Sequence, residues 1–119
     1  MVRGDHEIRW GDIWWADLGE PECSEPGYRR PVLVVQANGF NQSMMNTVVL
    51  VSLTRNLSRA ASPGNVLLPK SKSGLPHDSV ANVTQVSTQD KSVLAERCGR
   101  LDPALMQRVG EGLKLVLGL

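Results

Sequence analysis

Cysteine is nearly absent from this sequence: Cys23 and Cys98 are the only two in 119 residues, with no CxxC pair and no His/Cys cluster at ligand spacing. Neither a disulfide framework nor a zinc site is indicated. No apolar run approaches the roughly 20 residues of a membrane-spanning helix, and the opening MVRGDHEIR is too polar for a signal peptide. The expectation is a cytoplasmic protein with no membrane contact. Acids are missing over one long tract. Residues 1–28 carry seven of them (Asp5, Glu7, Asp12, Asp17, Glu20, Glu22, Glu25), whereas 29–77 carries none and holds Arg29, Arg30, Arg55, Arg59, Lys70 and Lys72. The net charge is only +1, so the lopsided distribution matters more than the total. Such a tract is either a site for a polyanion or a solvated face balanced in space by the N-terminal acids.

What remains is ordinary for a globular protein, with 41% hydrophobic and 21% charged residues. The length suits one domain with a modest core. Residues 1–10 read as a flexible arm and 11–119 as a single domain, without internal repeats or a linker.

A first strand is expected at about 11–18, with Ile13 and Trp15 alternating against Asp12, Trp14 and Ala16. Adjacent tryptophans cannot face one core, so one of them either lines a groove or packs beneath the neighbouring loop. After a loop at 19–30, Pro31-Val-Leu-Val-Val-Gln36 is apolar without alternation, as for a strand buried on both faces. Residues 40–46 read as an irregular or helical link. Thr47–Thr54 is the strongest strand signal, ending on a hydroxyl followed by the cation Arg55. The stretch 56–65 reads as a loop with a Pro63-Gly64 turn, Val66–Leu68 as a short strand, and Pro76-His77-Asp78 as a turn. Ser79–Thr88 alternates hydroxyl or amide groups with aliphatics, and Val93–Leu101 is a further strand in which Cys98 is expected to be buried and inert. The chain closes on a helix with Asp102 as N-cap, Pro103 at the first position, and Leu105, Met106, Val109, Leu113, Val116 and Leu117 at helical spacing. Gly110 and Gly112 weaken it, which calls for close packing by a strand or a second copy of the chain. The fold class is mostly β: a small antiparallel barrel with a C-terminal helix.

The loop Ser24-Glu25-Pro26-Gly27-Tyr28-Arg29-Arg30-Pro31 joins two strands and gathers an acid, a hydroxyl and two guanidiniums. A long loop in a small domain is more often functional than idle. Arg9-Trp-Gly-Asp-Ile-Trp-Trp-Ala-Asp-Leu18, then Ser24-Glu25-x-Gly27-x-x-Arg30-Pro31-Val-Leu-Val-Val35, resembles the MazF/PemK family of toxin endoribonucleases. The resemblance continues through Thr47–Thr54, Asp78-Ser-Val80 with Gln85, and Gly99-Arg-Leu101. It implies a homodimer of SH3-like barrels that cuts single-stranded RNA at short sequences, independently of the ribosome and without metal or cofactor. It also implies a cognate antitoxin, with DNA contact only through the antitoxin complex. Arg30 and Thr54 match the residues of the chemistry, and Ser24, Glu25, Ser79 and Gln85 match positions that hold RNA. The chain departs from the common pattern at Cys23 and Pro26, which reshape the loop. The same fold also hosts toxins that act by binding DNA gyrase, and a non-catalytic RNA-binding module is a further alternative.

RNA carries its own nucleophile, the 2′-OH, so a cleaving site has to align it, move two protons and stabilise a charged phosphate. Arg30 and Thr54, at facing strand ends, suit the phosphate, with Arg29 and Arg55 as further RNA-binding cations. Arginine stays protonated, which leaves Glu25 as the candidate base or, alternatively, a salt-bridge partner of Arg29 or Arg30. His6 and His77 are distant in sequence, which disfavours a two-histidine nuclease. Asp12 and Asp17 point to opposite faces of a strand, which disfavours a shared metal. An acidic, disordered antitoxin segment is expected to lie over the same cations, with Trp14 or Trp15 as its apolar anchor.

Overall fold

The computed structural model describes residues 7–19 and 28–119. Among these residues, six strands form one antiparallel sheet: β1 (Asp12–Asp17), β2 (Arg29–Val34), β3 (Thr47–Thr54), β4 (Val66–Leu68), β5 (Ser79–Asp90) and β6 (Leu94–Arg100), in the spatial order β4-β5-β3-β2-β1-β6. The expected C-terminal helix is present as α3 (Pro103–Leu117). Two single-turn helices, α1 (Asn38–Asn41) and α2 (Lys70–Ser73), fill segments without a long periodic signal. The sheet curls into a half-barrel. Between its β4 and β6 edges, α2 ends at Gly74 (φ 80°) against the backbone of Cys98 and Gly99, so tight that neither Gly74 nor Gly99 has room for a Cβ.

The adjacent tryptophans divide between two cores. Ile13 is buried with Leu33, Val51, Leu53, Leu68, Val83 and Met106, and Trp15 packs against that cluster. Trp14 and Ala16 are buried on the opposite face with Val32, Val34, Val48 and Leu50. Both sheet faces are therefore covered near β1 and β2, which is why Val32-Leu33-Val34 shows no alternation. Within the stretch read as an arm, Ile8 is buried in the second core and the Trp10 N–H donates to Asn38 Oδ1 at 2.7 Å.

Asp12 is fully buried and is the polar hub of β1. Its Oδ1 accepts from Arg97 Nε (3.2 Å) and Arg100 Nε (2.9 Å), and its Oδ2 from the Arg9 N–H (2.9 Å) and Trp14 Nε1 (3.3 Å). A buried carboxylate persists only when paired and hydrogen-bonded. Here it ties β1 to β6.

Cys98 is partly rather than fully buried: it packs against the first core from β6, the edge strand of the sheet, beside α2. Partial desolvation, followed by the nearby Glu96 charge, pushes its thiol up to about 11, which disfavours the reactive thiolate.

The two helix glycines have different fates. Gly112 lies against the backbone of Gly64, in the turn before β4, with no room for a Cβ, so the close neighbour is a turn rather than a strand. Gly110 meets nothing within 4 Å. It borders an apolar groove of about 300 Å³ between α3 and the sheet, lined also by Trp10, Val49, Val86, Leu113 and Leu117. Gly112→Ala should therefore lower stability by about 1–3 kcal/mol through overpacking. Gly110→Ala should leave it unchanged or raise it by up to about 1 kcal/mol. Urea unfolding midpoints check the contrast, and equal shifts for both would contradict this packing.

Candidate functional site

The register of three ladders builds the site. β1 pairs with β2 so that Trp15 faces Pro31 and Ala16 faces Arg30, while β2 pairs with β3 through Val32–Ser52 and Leu33–Val51. Carried two positions further, that register sets Arg30 across from Thr54. β3 in turn pairs Thr54 with Val80, which brings the start of β5 alongside.

These strand ends open into a cleft of about 400 Å³. Trp15, Tyr28, Arg29, Arg30 and Pro31 line one side, Leu53, Thr54, Arg55 and Asn56 the end of β3, and Leu75, Pro76, His77 and Ser79 the approach to β5. Three cations of the acid-free tract thus share one cavity, while Lys72 lies elsewhere and pairs with Asp102 at 3.6 Å. Arg29 sits 5.5 Å from the centroid of Trp15, a cation–π distance, and its Nη2 donates to Glu96 Oε1 at 3.1 Å. Both members of that ion pair are more than half exposed, so it is weak and an anion can displace it. Thr54 Oγ1 accepts from the Asn56 N–H at 3.1 Å, which fixes the chain as it leaves β3.

Of the residues singled out from sequence, Arg29, Arg30, Thr54, Arg55 and Ser79 meet in this cleft. Ser79 is almost fully buried, and its hydroxyl donates to the His77 carbonyl at 3.3 Å. Gln85 does not line the cleft: it lies further along β5, where the pairing with β3 jumps from Ser52–Asn82 to Val51–Val86 across a bulge. Ser24, Glu25 and the departures at Cys23 and Pro26 lie outside the described residues.

Sequence reasoning overlooked Tyr28 as part of the site and gave His77 little weight. Tyr28 is exposed in the cleft at φ 61°, a left-handed conformation uncommon for an aromatic residue. Its N–H donates to the Gly19 carbonyl, and its own carbonyl accepts from the Leu18 N–H at 2.8 Å, closing the base of the loop. The available signal was an aromatic beside two arginines, a pairing that suits base stacking. Among the described residues, no three His, Cys, Asp or Glu side chains gather where they would hold a metal ion. No helix among them is long and apolar enough to cross a membrane.

Residues 9–117 match the family of PemK-like, MazF-like toxins of type II toxin–antitoxin systems. The chain is similar to endoribonuclease MazF6 of Mycobacterium tuberculosis, with 47% identity over 108 residues covering 91% of this chain and 95% of that protein. It also resembles a mycobacterial endoribonuclease solved in complex with its cognate antitoxin (TM-score 0.72, 27% identity, 96% of each chain). Its fold matches the crystal structure of MazF from Deinococcus radiodurans (TM-score 0.80, 22% identity, 97% of this chain and 100% of that one). Near-complete coverage in both directions, together with the curled antiparallel sheet and its C-terminal helix, establishes that this chain belongs to the PemK-like, MazF-like family of type II toxin–antitoxin toxins.

Proposed function

We propose that this protein is an endoribonuclease toxin of the cytoplasm that cleaves single-stranded RNA at short sequences in the cleft between the ends of β2, β3 and β5. The observation that carries this reading is the convergence of Arg29, Arg30 and Arg55 with Thr54 in one open cavity. A planar guanidinium holds two oxygens of one phosphate, so Arg30 stabilises the charge that grows on phosphorus as the 2′-oxygen attacks. The Thr54 hydroxyl, across the register from Arg30, supplies a further hydrogen bond to the phosphate. Tyr28 and Trp15 offer flat faces for unstacked bases, and Arg29 and Arg55 hold flanking phosphates. Glu25 is the candidate base, and Ser24, Ser79 and Gln85 are candidate RNA contacts outside the reacting centre. This chemistry requires no metal and leaves a 2′,3′-cyclic phosphate and a 5′-OH.

In this reading the active species is a two-fold dimer, and the apolar groove beside α3 is surface that one copy leaves uncovered. The similar mycobacterial endoribonuclease solved with its cognate antitoxin supports a cognate antitoxin here. An acidic segment would fold onto the guanidiniums of the cleft and exclude RNA.

Purified protein should cut a long unstructured RNA equally well with and without EDTA. Arg30→Ala and Thr54→Ala should each slow cleavage by roughly 100-fold or more while remaining folded, since each removes a transition-state contact and no core volume. Cleavage abolished by EDTA and restored by Mg²⁺, or wild-type rates in either folded variant, would contradict the mechanism.

Charge reversal at the cleft separates a shared site from two separate ones. Arg29→Glu and Arg55→Glu should each weaken RNA and antitoxin-peptide binding together, and both affinities should fall with added salt. Fluorescence anisotropy reads both, and a peptide that binds the intact RNA complex unchanged would show that the cleft is not shared.

A further inference from the structure

The cleft contains three guanidiniums and needs a group that can both hold and release a proton near neutral pH. We propose that His77 is the general acid of RNA cleavage, delivering a proton to the departing 5′-oxygen; this rests on the reading of the cleft as the RNA-cleaving site. Arg29, Arg30 and Arg55 line the same cavity, but a guanidinium keeps its protons throughout the physiological range. Tyr28 also lines it, and its exposed ring offers a flat face for a base. Threonine, serine and asparagine do not titrate. Among the described lining residues, His77 contributes the one imidazole, the side-chain type that most often serves as a general acid or base.

The turn that presents His77 is anchored on both sides, so the imidazole projects from a fixed base. Leu75 is buried, and its N–H donates to Ser73 Oγ at 3.1 Å. Pro76 restricts the backbone immediately before it. Asp78 Oδ1 accepts from the Lys70 N–H at 2.8 Å, and Ser79 Oγ donates to the His77 carbonyl at 3.3 Å. The side chain itself is exposed to the cleft. Among the described residues, the charged and titratable groups around the cavity are Tyr28, Arg29 and Arg30 leading into β2 and Arg55 beyond β3, with Glu96 paired to Arg29 and Asp78 next to His77 on its own turn. Bound RNA adds phosphates to this group, and an imidazolium can donate a hydrogen bond to a phosphate oxygen or to the departing 5′-oxygen.

In the step itself, the 2′-oxygen forms a bond to phosphorus as its proton passes to the general base of the site. The bond between phosphorus and the 5′-oxygen breaks, and its electron pair stays on that oxygen. The oxygen takes a proton from the His77 imidazolium, which is left neutral. The products are the cyclic phosphate and the 5′-OH, and solvent restores the two protonation states.

The test uses the full chain and paired oligoribonucleotides spanning a mapped cleavage site, one with the natural 5′-oxygen and one with a bridging 5′-sulfur. A thiolate departs without needing a proton. His77→Gln should therefore lose roughly 100-fold or more on the oxygen substrate and cleave the sulfur substrate within a few-fold of wild type. His77→Asn, with a shorter amide, should behave alike, and thermal melts establish that both variants are folded. Arg30→Ala should lose activity on both substrates. Full activity of the His77 variants on the oxygen substrate, or an equal loss on both, overturns the role of His77 while leaving the cleft as the site. A fully active Arg30→Ala overturns the cleft assignment, and the role of His77 with it.

Discussion

The antiparallel register that runs from β1 through β2 and β3 to β5 is the constraint on which the site depends. It is held because Val32, Leu33 and Val34 are all buried, with alternate side chains in opposite cores. Slipping β2 by one residue would exchange the two faces and set Arg30 beside the wrong neighbour. Asp12 adds a second lock by joining β1 to Arg97 and Arg100 of β6. The strand that carries Trp15 is thus paired on both sides, and the cleft's tryptophan stands on a rigid wall rather than a loop.

The basic tract divides in space more sharply than in sequence. Among the described residues, Arg29 pairs with Glu96 and Lys72 with Asp102, both exposed pairs with acids of the C-terminal half. The N-terminal acids described are otherwise engaged, Asp12 in its buried network, Glu7 with Arg9, and Asp17 with the Gly19 N–H. Arg29, Arg30 and Arg55 converge on one cavity, and that convergence supports the proposed polyanion site. The weakness of an exposed ion pair such as Arg29–Glu96 suits that role, since a phosphate has little to displace.

Much of this was legible in the chain because its causes are local. Thr47–Thr54 declares itself by β-branched residues, and the strand appears with those bounds. The α3 cap does so through Asp102, whose Oδ1 accepts from the Leu105 N–H at 2.9 Å, and Pro103. Arg30 and Thr54 were readable as strand ends, so their proximity followed once β2 and β3 were paired. What escaped depends on partners distant in sequence. Asp12 reads as an unremarkable strand acid until Arg97 and Arg100 arrive from β6. His77 reads as a solvated turn residue until β3 and β5 pair and carry it to the cavity that Arg30 lines from the other side. The turn at Gly64 that receives Gly112 is likewise set by tertiary packing, with no periodic signal to announce it.

The three tryptophans divide among three environments: Trp15 in the cationic cleft, Trp10 in the groove beside α3, and Trp14 in the interior. Their indole N–H resonances therefore report where RNA sits. Titrating isotope-labelled protein with a short 2′-O-methyl RNA, which cannot be cut, should shift the Trp15 indole signal and leave that of Trp10 in place. A shift at Trp10 with Trp15 unmoved would place the RNA beside α3 and contradict the account.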